Sequence, residues 1–115
     1  MSSKDDLSVL RNHLRKFAEE REWDQFHSPK NLAIALSVEA SELLEHFQWI
    51  TEEQSKSIQL GEVRKEMGDV LLYLIRLADK LDVDLIEAAQ SKLLENAEKY
   101  PVEKARGSSK KYTDL

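Results

Sequence analysis

The sequence predicts an all-α protein, a compact bundle of four main helices that assembles as an oligomer. Three observations carry this. Three glycines and two prolines are too few to punctuate strands at short intervals. Leu, Ala, Glu and Lys, which favour helix, dominate the chain. Apolar residues recur three and four positions apart instead of alternating. At 115 residues there is room for one core only, so residues 1–102 are read as a single helical domain and residues 103–115 as a basic C-terminal tail. A core this small leaves a cleft for a large ligand to be completed by another subunit, which is the reason to expect an oligomer.

The first helix runs from about Asp5 to Glu22, with Leu7, Leu10, Leu14, Phe17 and Ala18 on one stripe and charge elsewhere. Ser28 followed by Pro29 has the form of an N-cap and a first-turn proline, opening a second helix to about Gln48 that is apolar on most sides. Thr51 with Gln54 resembles a capping box for a short helical turn, and Gly61 breaks the pattern before a third long helix, Glu62 to Leu81, expected to be largely buried. Asp84 with Glu87 starts a fourth helix that reaches Lys99 and stops before Pro101. Residues 103–115 mix Gly, Ser, Lys and Arg without apolar periodicity and read as a flexible tail.

A net charge of −5 argues against general affinity for nucleic acid or an anionic membrane, and a polyanionic substrate would enter with a metal ion. Without cysteine, neither disulfides nor thiolate ligands are available. Residues 1–20 are charged throughout, and no apolar run approaches the roughly 20 residues of a membrane span. A soluble, cytoplasmic protein is expected.

Two acidic residues three apart on a helix project to one side, about 5–6 Å apart at Cβ, close enough to share a divalent cation. Spacing alone is weak evidence, because 22 acidic residues in 115 place roughly four such pairs by chance. Company separates two of them from the rest. Glu39, paired with Glu42, is flanked by Ala35, Leu36 and Leu43. Glu66, paired with Asp69, is flanked by Val63 and Val70, and Asp69 by Leu72 and Tyr73. Carboxylates against a core are costly to keep ionised unless a cation or hydrogen-bond donors compensate them. The competing structural reading pairs them with Arg64, Lys65 or Arg76, or leaves their heads in water at the core's edge. If a metal is held, an all-oxygen set favours Mg²⁺ or Mn²⁺ over zinc. No Glu-x-x-His pair of the di-iron type is present, His46 being one residue displaced.

From Phe17 to the end, the stretches REWDQFHSPKNLA, VEASELLEHFQW, EMGDVLLYL, SKLLENAEKYP and SSKKYTDL resemble the all-α nucleoside triphosphate pyrophosphohydrolases of the MazG-like superfamily, and within it the dCTP pyrophosphatase branch. The superfamily motif, Glu-x-x-Glu, a spacer, then Glu-x-x-Asp, matches Glu39, Glu42, Glu66 and Asp69, and the resemblance implies that these four ligate the metal. It also implies Mg²⁺-dependent cleavage of a nucleoside triphosphate, dCTP or a 5-modified dCTP, to monophosphate and pyrophosphate, by a homotetramer; a dimer meets the burial argument equally. Such chemistry needs no protein nucleophile, since the ion neutralises the triphosphate and activates water. Glu39 is the first choice as proton acceptor.

Trp23, Phe26, His27 and Trp49 cluster at helix ends near the acidic motif, where rings can stack on a base. The resemblance places Trp23 and Trp49 in such a pocket, while Phe26 and Phe47 read as packing. Tyr73, one turn after Asp69, reaches the same cleft and also matches the branch. Lys92 and Asn96 share a helix face and are assigned to substrate by resemblance, though composition alone would make them solvated surface. Lys110, Lys111 and Tyr112 could fold over the phosphates or a neighbouring subunit. One departure stands out: the branch has histidine at the position of Leu14, and His13 here is one residue out of register. The alternatives are the same fold acting on dUTP or another noncanonical nucleotide, and a non-enzymatic helical oligomerisation module.

Overall fold

The computed structural model describes residues 5–115, and all regular structure among them is helical. In order the elements are α1 (Asp6–Glu20), a 3-10 turn (Asp24–Phe26), α2 (Pro29–Glu45), α3 (Glu52–Ser55), α4 (Leu60–Leu81), α5 (Leu85–Lys99), α6 (Val102–Ala105) and a second 3-10 turn (Tyr112–Asp114). The four long helices are those the periodicity predicts. No helix among the described residues is long and apolar enough to cross a membrane.

Local chemistry sets the boundaries. Asp5, Ser28, Thr51 and Asp84 each accept a hydrogen bond from the backbone N–H three residues on, supplying partners to helix starts that would otherwise lack them. Thr51 and Gln54 form the reciprocal capping box. Gly61 behaves differently from expectation. It lies inside the first turn of α4, after the N-cap Gln59, where N–H groups have no intrahelical acceptor and a glycine interrupts little. At its other end α4 stops at Asp82, left-handed at φ 54°, with the Val83 N–H bonded to the Ala78 carbonyl at 2.9 Å.

The chain forms two compact units, one up to Val83 and one over Asp84–Leu115. In the first, α2 lies along α4 and α1 also packs on α4. Ala18, Leu32, Val63, Ile75 and Ala78 form its buried apolar core. The expectation that α2 and α4 would be buried on most sides needs correction. Ile34, Val38 and Leu44 on α2 are at least half exposed. On α4, Leu60, Met67, Leu71, Leu74 and Leu81 are 37% to 66% exposed and, at spacings of seven, four, three and seven, share one stripe. The cause is that α4 finds only α1 and α2 to pack against extensively, which uses one side of a helix apolar on two.

In the second unit, α5 is capped at Tyr100, and the stretch expected to be a flexible tail carries regular structure instead, with α6 straddling its start at Val102–Ala105 and the final 3-10 turn near its end. Tyr112 meets Tyr100 edge-on at 6.0 Å between ring centroids, and the Lys99 ammonium lies 5.0 Å from the Tyr112 ring. These contacts join residues too far apart in sequence to leave a periodic signal.

Candidate active site

Alignment of α2 with α4 brings the acidic pairs together. Glu39 and Glu42 stand one turn apart on α2, Glu66 on α4, and one carboxylate oxygen from each lies within 4.8 Å of the others. Asp69 is outside this cluster, yet its charge is among those acting on Glu39. Glu39 Oε2 is buried and has no hydrogen-bond partner among the described residues. Burial, then the neighbouring Glu42, then the charges of Asp69 and Glu66, push the Glu39 carboxyl up to about 7. Glu66 is raised by burial and Glu42, against the opposing effect of His46, whose Nε2 lies 3.7 Å from Glu66 Oε1.

None of the four carboxylates pairs with Lys or Arg among the described residues. Lys65 pairs with Glu62 at 3.3 Å, and Arg76 turns to Asp24 and Asp79. The pairs with Arg64, Lys65 or Arg76 that an ion network would need are not formed among the described residues. Three clustered carboxylates and a buried acceptor without a donor could hold a small hard cation.

The cluster's repulsion predicts a pH dependence. Unfolded, Glu39 titrates near the ordinary ~4.3, so the fold disfavours its ionisation and its contribution to stability declines as pH rises from there to about 7, then levels off. Glu66 acts in the same sense. His27, lowered by burial and by Arg76 and Lys80, acts in the opposite one below about 6.5. Comparing metal-free wild type with Glu39→Gln isolates the first effect. The stability difference, from urea midpoints, should grow in favour of the variant across that interval; a difference flat with pH would contradict it.

Beside Asp69 opens a cavity of about 240 Å³ lined by Leu14, Phe17, Ala18, Trp23, His27, Asp69, Leu72, Tyr73 and Arg76. The way α1 ends builds its wall. Glu22 is left-handed at φ 55°, and the Trp23 N–H bonds the Ala18 carbonyl at 2.9 Å, folding the chain back on the helix. Trp23 then meets Phe17 edge-on at 5.5 Å. The following 3-10 turn delivers His27, and the Asn31 amide donates to the Phe26 carbonyl at 3.0 Å, tying that turn to α2.

Of the residues expected at substrate, Trp23, His27 and Tyr73 line this cavity and Trp49 does not. Just past α2, Trp49 is 87% exposed. Phe26, expected to pack, is 60% exposed because the short turn points it outward. Leu14 is on the cavity wall and His13 is exposed, so no first-helix imidazole lines this cavity. Lys92, Asn96, Lys110, Lys111 and Tyr112 belong to the second unit; there Lys92 pairs with Glu95 at 3.4 Å, and Lys110 and Lys111 are exposed. Two residues near the site were missed. His46 was legible as one turn beyond Glu42. Arg76 lies on the buried side of α4, where the sequence alone suggests only a partner for the acids.

A profile of the MazG-like family matches residues 34–115. dCTP pyrophosphatase 1 of Bos taurus is 41% identical over 119 aligned residues, covering 99% of this chain and 70% of that protein. The Homo sapiens protein of the same name is 42% identical over 114 residues, covering 95% and 67%. A crystal structure of a pyrophosphatase from Archaeoglobus fulgidus superposes with a TM-score of 0.81 at 38% identity, over 88% of this chain and 97% of that one.

Proposed function

The chain belongs to the MazG-like family, and from that premise we propose that it hydrolyses a nucleoside triphosphate between the α and β phosphates, releasing the monophosphate and pyrophosphate. The relatives named dCTP pyrophosphatase 1 make dCTP, or a 5-modified dCTP, the first substrate to test, in a role of nucleotide-pool sanitation. The carboxylate cluster carries the reading. An interaction module would gain nothing from three acidic side chains forced together with one oxygen buried and unpaired.

In this reading Glu39, Glu42 and Glu66 would hold Mg²⁺ or, in its place, Mn²⁺, and the resemblance adds Asp69 as a fourth ligand. When bound, the ion supplies charge neutralisation for the triphosphate and Lewis acidity at the phosphoryl group. The rest falls to the chain. Glu39, whose buried oxygen has no protein partner, accepts a proton from the attacking water. Trp23 stacks on the base, and His27 and Tyr73 offer hydrogen-bonding groups at the same cavity. Lys92, Asn96, Lys110, Lys111 and Tyr112 contact the phosphates, and Trp49 enters as a contact made in the oligomer. The exposed α4 stripe supports assembly, since contiguous apolar surface along a whole helix is costly in water. A second copy covers it, giving a homotetramer or, with one interface only, a dimer.

Leu14 keeps a second reading of the base in play. An apolar wall where the branch has histidine removes one polar contact to the base, so dUTP or another noncanonical nucleotide is the second substrate class to test. Pyrophosphate release should be measured across common and 5-modified nucleoside triphosphates, with and without Mg²⁺. Mg²⁺-dependent release fastest from a cytosine nucleotide is the expected result. Release from none of them would refute the enzymatic assignment.

A further inference from the structure

We infer that Arg76 is a positioning residue that fixes His27 as a neutral imidazole protonated at Nε2, so that His27 presents one N–H donor at the cavity and selects bases with a hydrogen-bond acceptor on the facing edge. The ligand's identity as a nucleotide rests on the reading above; the histidine's state does not.

The side chain of Arg76 is 7% exposed, and its guanidinium is held on three sides. Nη2 donates to Asp24 Oδ1 at 2.5 Å, Nη1 lies 3.7 Å from Asp79 Oδ2, and Nε donates to His27 Nδ1 at 3.2 Å. The carboxylates are fixed in turn. Asp79 takes two hydrogen bonds from Arg15, at 2.5 and 2.8 Å, and Asp24 a second one from Lys80 at 2.5 Å. A guanidinium has only donors and does not lose its proton, so the histidine nitrogen facing Nε must be the acceptor. Nδ1 is therefore unprotonated, and the proton of the neutral ring sits on Nε2. Nε2 has no hydrogen-bond partner among the described residues, and His27 borders the cavity. Burial, with Arg76 and Lys80 nearby, holds the imidazole below its ordinary pKa, which supports the neutral form. The Trp23 ring stands edge-on to His27 at 6.1 Å, so an N–H donor and a stacking face occur side by side.

Such a donor discriminates. A base with a ring carbonyl or ring nitrogen at that edge satisfies it, whereas a base of the same shape without an acceptor leaves a desolvated N–H unpaired. His27→Gln would keep an N–H but lose the ring that Arg76 orients. Exposed histidines interconvert between tautomers, and this one is prevented from doing so by a buried cation.

The test begins with the unmodified protein. Long-range ¹H–¹⁵N correlation spectra of the imidazole at neutral pH should show His27 protonated on Nε2 and bare on Nδ1; the opposite tautomer, a mixture, or a doubly protonated ring would overturn the inference. Steady-state kinetics then compare dCTP with the triphosphate of 2,4-difluorotoluene deoxyriboside, a pyrimidine shape without comparable acceptors. In Arg76→Met the His27 signals should become a tautomer mixture, and the preference for dCTP should shrink about five- to tenfold, with the change carried by KM. An unchanged preference despite the altered tautomer would refute the selective role. Asp24→Asn, which loosens Arg76 without removing it, provides the same comparison at smaller amplitude if Arg76→Met does not fold. Turnover of no nucleotide by the wild type would refute the proposed activity and leave the spectroscopic result to stand by itself.

Discussion

Glu39→Gln is expected to lower turnover by about 10²–10⁴-fold, the range typical of losing a positioned general base, while the protein folds at least as well as wild type without metal. The two outcomes share one cause. Glu39 Oε2 is buried with no donor, and three other carboxylates raise the cost of its charge. A neutral amide of the same shape removes that cost, and a buried, unsatisfied group is worth about 1–3 kcal/mol. Above pH ~7, where Glu39 is ionised, the metal-free variant should therefore have the higher urea midpoint. Mg²⁺ should reverse the order. A ligand at 100 times its Kd adds about 2.7 kcal/mol to a protein that binds it only when folded, and the variant should gain little of this. Retained turnover would remove Glu39 from the mechanism, and an unchanged response to Mg²⁺ would remove it from the metal site.

The sequence made some of this legible, and the reasons are physical. Ser28 with Pro29, Thr51 with Gln54, and Asp84 with Glu87 are local signals whose chemistry does not depend on the rest of the fold, and each marks a helix start in the structure. The acidic pairs were legible through their apolar neighbours, and the proximity of Glu39, Glu42 and Glu66 follows once α2 lies along α4. Where periodicity misled, it was silent about what the apolar faces meet. Leu71 and Leu74 belong to a stripe that looks like core, yet both are more than a third exposed in a single chain. Arg76 shows the converse. On an apolar helix an arginine reads as an outlier, and only the return of the chain at Glu22 brings Asp24 and His27 to it.

The interior that aligns the carboxylates is itself testable. Ile75→Ala is expected to cost about 2–5 kcal/mol, a large share of the roughly 5–15 kcal/mol that holds a typical domain folded. Ile75 has no exposed surface, and Leu32 on α2 is 1% exposed, so these side chains lie at the centre of the packing that keeps α2 against α4. Ile75→Val, one methylene smaller, should cost about 0.5–1.5 kcal/mol and provides the graded control. The diagnostic feature is how the loss combines with Mg²⁺. Because Glu39, Glu42 and Glu66 are untouched, the ion should still stabilise Ile75→Ala and recover part of the deficit, so urea midpoints rise with metal in this variant and not in Glu39→Gln. A core that merely fills space predicts lost stability with full Mg²⁺ response. Loss of both would show that the ligand geometry depends on Ile75, and loss of neither would show that α2 and α4 are held together elsewhere.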